Sequence, residues 1–147
     1  MFETLLVTTS SEGLQPLGSA PQRSFELVSN TVKNRLGAKH SSLFAEPVAT
    51  EHGEMIDWYA PVAGSAVQMQ ELPEADQKGL RERLGALVAD IQAEAEKLGQ
   101  STDLHDQRLS EALINAVEVP DTSMIYGVRG EDGELQPVLV HWAWVKD

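Results

Sequence analysis

Residues 80–98 read LRERLGALVADIQAEAEKL, and the spacing in this stretch decides the fold. Leu80, Leu84, Leu87, Val88, Ile91, Ala95 and Leu98 recur at three- and four-residue intervals, while Glu, Asp, Gln, Lys, Arg and Ala fill most positions between them. That is the pattern of a helix with one buried stripe. The pattern extends back to Pro73 and stops at Gly99. Gly79 and Gly85 each weaken it by up to about 1 kcal/mol relative to alanine.

A second helix is expected over 102–117, where Leu109, Leu113 and Val117 repeat every fourth residue beside Ile114. Thr102 or Asp103 supplies its cap. The short link Gly99-Gln100-Ser101 folds the two rods back on each other as an αα-hairpin. Toward the N-terminus, Phe25, Val28, Val32 and Leu36 place another amphipathic helix over 21–37, capped by Ser19 or Ser24 and stopped by Gly37.

The stretches between the helices alternate as strands do. Residues 42–61 read as a hairpin turning at Glu51-His52-Gly53, with Ile56 and Trp58 on one face of its second strand and Met55, Asp57 and Tyr59 on the other. Pro47 suggests a strand end or edge. Residues 123–128 and 135–142 flank a loop containing Asp132-Gly133 and read as a second hairpin. Its last strand places Val138, Val140, Trp142 and Trp144 on one face and Leu139, His141, Ala143 and Val145 on the other. With both faces apolar, it is expected to be central. Residues 62–72 read as a connection, and residues 1–20 as a loose or edge segment.

The expected class is therefore α+β: a two-layer arrangement in which an antiparallel sheet of about four strands, from two hairpins, packs against two or three helices. The 147 residues suit a single domain, spanning 1–147, whether complete or the first domain of a longer protein.

Eleven basic against 23 acidic residues give a net charge of −12. No basic run exists, so nucleic acid is excluded as a partner. The acidity favours solubility or a basic protein partner. There are no cysteines, which removes thiolate metal sites and cysteine nucleophiles. No stretch is long and apolar enough to insert into a membrane, and the N-terminus lacks a basic n-region, so a cytoplasmic location is expected.

Chemistry-bearing motifs are sparse. His40, His52, His105 and His141 include no pair at helix spacing for a metal, and Asp103 beside His105 reads as a cap. Phosphate-binding glycine loops and a nucleophile elbow are missing, so no cofactor, metal or catalytic residue is assigned. A general base needs a carboxylate within reach, which Asp57 could give His141 across the sheet. Trp58 and Tyr59 sit in one hairpin, and Trp142 and Trp144 in the other. Core packing is the plain reading of these aromatics; the alternative is an exposed patch anchoring a partner.

Residues 53–61 (GEMIDWYAP) and 137–144 (PVLVHWAW), the latter preceded by Met124-Ile125-Tyr126, with a long charged helix between them, resemble the N-terminal region of SrfA-like bacterial virulence-associated proteins. The resemblance spans residues 42–144. It implies a non-enzymatic part of a bacterial multi-component system and supplies no catalytic residues. The leading functional expectation is thus a protein-interaction or scaffold module binding through Trp58, Tyr59, Trp142 and Trp144. The alternatives are a small hydrolase using Asp57, His141 and Glu54, or a peptide or small-ligand sensor.

Overall fold

A computed structural model describes residues 4–51, 53 and 55–147. His52 and Glu54, and with them the Glu54 arm of the hydrolase reading, lie outside the described residues. The chain is α+β. In order it forms β1 (Thr4–Thr9), β2 (Leu14–Pro16), α1 (Phe25–Leu36), α2 (Ala38–Ser41), β3 (Glu46–Ala49), β4 (Ile56–Ala60), β5 (Ser65–Gln68), α3 (Glu74–Gly99), α4 (Leu104–Ala116), β6 (Ile125–Arg129), β7 (Leu135–Leu139) and β8 (Trp144–Lys146).

The helices follow the periodicity that predicts them. Leu80, Leu87, Ile91, Ala95 and Leu98 of α3 are buried, with Leu84 and Val88 packed at the margin. Val28 and Val32 of α1 and Leu113 of α4 face the same core. Ile114 does not share it and stands exposed. Ser24 caps α1 by accepting from the Leu27 N–H, and Asp103 caps α4 by accepting from the His105 N–H. Between α3 and α4, the buried Ser110 hydroxyl donates to the Ala95 carbonyl at 2.6 Å. That contact gives the buried hydroxyl its partner.

Both hairpins form, but they do not join as one four-stranded sheet. β3 and β4 pair antiparallel, and β1 takes the other edge of β4, giving the order β1-β4-β3. The N-terminal segment is thus an edge strand, with a bulge where the register passes from Leu5 opposite Tyr59 to Val7 opposite Trp58. β6 and β7 form the second hairpin, and β5, within the expected connection, completes the order β5-β6-β7. The two sheets meet where Leu43–Ala45 runs beside Leu139. There Ala45 N–H donates to Leu139 O at 3.0 Å and Leu139 N–H to Leu43 O at 2.7 Å. α3 lies over the second sheet, with Leu80 close above Gly127, where no side chain intervenes.

The last strand departs most from expectation. It stops at Leu139, and β6 rather than β7 is the central strand. The chain then turns through His141 (φ 51°) and Ala143 (φ 66°). Left-handed backbone costs a non-glycine residue about 1–2 kcal/mol, so the surroundings must enforce it. Here they do: Ala143 N–H donates to Glu118 O at 2.9 Å, and Ala143 O accepts from Leu17 N–H at 2.8 Å. Beyond the turn Trp144 begins β8, which pairs with β2 as a separate ribbon. Trp144 therefore leaves the face it was expected to share with Val138 and Val140.

β5 depends on Gly64, whose φ of 153° suits glycine. A Cβ there would collide with the Arg129 carbonyl on β6. Gly64→Ala is expected to lower stability by about 2 kcal/mol or more in urea unfolding, through strain and a lost strand pairing.

Candidate functional site

The turn at 140–143 sends the side chains of His141, Trp142 and Trp144 to different places. Trp142 is buried; its indole N–H donates to the Ala45 carbonyl at 2.9 Å, and its ring meets Phe44 edge-on at 5.5 Å. His141 is fully buried between two indoles, with ring centroids 5.0 Å from Trp58 and 5.7 Å from Trp144. Trp144 is half-buried, and the Arg23 guanidinium lies over its ring at 5.6 Å. Arg23 is fixed there because it also donates to the carbonyls of Leu17 (3.0 Å) and Gly18 (2.7 Å).

Thr9 on β1 ties this cluster together. Its hydroxyl oxygen accepts the Trp58 indole N–H at 2.8 Å and lies 2.6 Å from His141 Nε2. An indole N–H only donates, so the Thr9 oxygen is the acceptor in the first bond. Pointing the hydroxyl hydrogen at Nε2 satisfies both groups and puts the imidazole proton on Nδ1. The opposite tautomer would strand the hydroxyl hydrogen as well as Nδ1. Nδ1 is buried with no partner among the described residues. Burial holds the imidazole well below its ordinary 6.5, at about 4, so it is neutral at physiological pH.

Asp57 does not join His141. Its carboxylate accepts from the Thr8 hydroxyl at 2.6 Å, on the face of β4 opposite to Trp58. The structure thus separates the acid and base that the hydrolase reading pairs. Tyr59 likewise falls on the face away from Trp58. The four aromatics assigned to partner binding are divided: Trp58 and Trp142 pack in the core, as the plain reading has them, Tyr59 lies on the other face of β4, and Trp144 combines partial exposure with the cluster.

What the cluster does form is a cleft of about 260 Å3, lined by Ala20, Arg23, Pro47, Ile56, Trp58, Trp142 and Trp144. Ala20, Arg23 and Pro47 carry no signal that sequence reasoning could use, because nothing local links them to the tryptophans. A larger groove, about 530 Å3, runs between the start of α1 and α4, past Gln22, Leu27, His105 and Arg108. None of its lining residues is buried, and the strained turn and aromatic cluster lie outside it. The smaller cleft, which has the buried, hydrogen-bonded rings of Trp58 and Trp142 in its wall, is the better candidate site. Among the described residues no three of His, Asp and Glu converge as a metal site, and no helix is long and apolar enough to cross a membrane.

Comparison of the chain with protein-family models, with curated proteins and with solved structures gives no significant match.

Two measurements probe the cluster. Thr9→Val strands the Trp58 N–H and one imidazole nitrogen, and should cost about 2 kcal/mol of unfolding free energy. For His141, the folded state binds the proton less readily than the unfolded chain. Its contribution is present in full above pH 6.5 and is lost as pH falls toward 4, by about 3 kcal/mol in total. His141→Asn accommodates the left-handed backbone and cannot titrate. Urea midpoints across pH 4–7 should therefore fall more steeply for the wild type than for this variant.

Proposed function

We propose that this chain is a non-enzymatic protein-interaction module, and that a partner docks at the cleft walled by Trp58, Trp142, Trp144 and Arg23. The observation that carries the reading is Trp144. It is half-buried, it lines the cleft, and it is the one tryptophan whose indole N–H has no partner among the described residues. Tryptophan and arginine in a preformed pocket are the residues that anchor partners. At about 260 Å3 the cleft is smaller than a typical cofactor pocket and suits a side-chain anchor. The net charge of −12 favours a partner whose own net charge is positive. The resemblance to SrfA-like proteins supports a bacterial multi-component assembly as the setting, with the module on the cytoplasmic side.

A displayed library of random peptides, selected on the wild-type protein, tests this. Enriched peptides should bind at least about tenfold more weakly to Trp144→Ala, the loss of one anchoring side chain. A library that yields no binders, or binders indifferent to Trp144, would remove the reading.

A further inference from the structure

We infer that the occupant of the cleft is an extended, proline-containing segment of a partner protein, with a carboxylate beside the proline. This rests on the interaction reading above and specifies what is recognised.

The chemistry of the lining side chains is one-sided. Ala20, Pro47 and Ile56 offer only apolar surface. Trp58 and Trp142 offer ring surface, since their N–H groups are already committed to Thr9 and Ala45. The polar groups left are the Trp144 indole N–H and the Arg23 guanidinium, which has five N–H donors and bonds to the Leu17 and Gly18 carbonyls through Nη1. Both are donors. No lining side chain has an oxygen or other strong acceptor. An ordinary peptide entering this cleft would bring backbone N–H groups that the lining side chains cannot satisfy, and each buried orphan would weaken binding.

Proline removes that problem. It has no N–H, keeps its carbonyl as an acceptor, and holds φ near the value of polyproline II before binding. A proline ring can lie on an indole face while a carbonyl of the segment accepts from Trp144 Nε1, which is how aromatic grooves take such segments in general. Arg23 is the one charged residue of the lining, so charge complementarity asks for a carboxylate, itself acceptor-only when ionised. The protein's overall negative charge does not oppose this. Charges beyond a Debye length of roughly 8 Å are screened at physiological salt, so the attraction of a carboxylate to Arg23 is a short-range one.

The test uses indole 15N–1H spectra, in which three tryptophans give three side-chain signals. Trp144→Phe identifies one of them and keeps a ring in place. The probes are a blocked peptide of five prolines and one aspartate, the same peptide with lysine for aspartate, and one in which glycine and serine replace the prolines. The proline–aspartate peptide is expected to shift the Trp144 signal saturably. Trp144→Phe should weaken its binding about five- to tenfold, the loss of one hydrogen bond. Arg23→Gln should abolish the preference for aspartate over lysine. Retained, sharp Trp58 and Trp142 signals report that each variant is folded. The inference is overturned if the proline peptide produces no saturable shift, if the glycine–serine peptide binds as well, or if Trp144→Phe binds unchanged. Library peptides that need Trp144 but contain no proline would also overturn it, while leaving the interaction reading intact.

Discussion

The structure turns on a reversal of the backbone at His141–Ala143. A continuous strand from Val138 through Val145 would put Trp142 and Trp144 on one face and His141 on the other. Two left-handed residues break that strand, and the hydrogen bonds from Ala143 N–H to Glu118 O and from Leu17 N–H to Ala143 O hold the break in place. The consequence is a division of labour along four residues. Trp142 enters the core, His141 is sealed beside it, and Trp144 starts a separate ribbon at the surface. The N-terminal residues, α4 and the second hairpin all meet at this point.

Among the described residues around the reversal, buried side-chain polar groups meet partners, with one exception. Thr9 serves two rings at once, and Ala45 O receives the Trp142 indole. The exception is His141 Nδ1, buried without a partner among the described residues. A neutral imidazole tolerates that; an imidazolium would not, which is why the group titrates so low. The site is therefore rigid at neutral pH for the same reason that it weakens in acid.

The neighbouring cleft draws on the same buried rings, Trp58 and Trp142. Its floor consists of core side chains, and its rim is pinned because Arg23 is clamped to the 17–18 backbone. Under the proposed docking, the Arg23 guanidinium is already held before a partner arrives, which would limit the entropy lost. Asp57, the residue that would be needed to turn His141 toward hydrolysis, lies on the far side of β4.

How much of this was written in the chain itself follows from distance along it. α1, α3 and α4 were legible to within a few residues, because a 3.6-residue period reports burial locally, and Ser24, Asp103 and Gly37 mark ends by contacts within the neighbouring turn. The β3–β4 and β6–β7 hairpins were legible for the same reason. β2, β5 and β8 were not: each is three or four residues long and exists only through a partner strand far away. The site was half legible. The tryptophans stood out by type, but their fates were set by a turn with no glycine to announce it. Thr9, which bonds to His141 across 132 positions, had no local signature at all. Sequence by itself determined which segments are amphipathic, since that is a matter of spacing. Tertiary structure alone decided which aromatic faces outward, since that depends on strained backbone and buried hydrogen bonds whose partners meet only after folding.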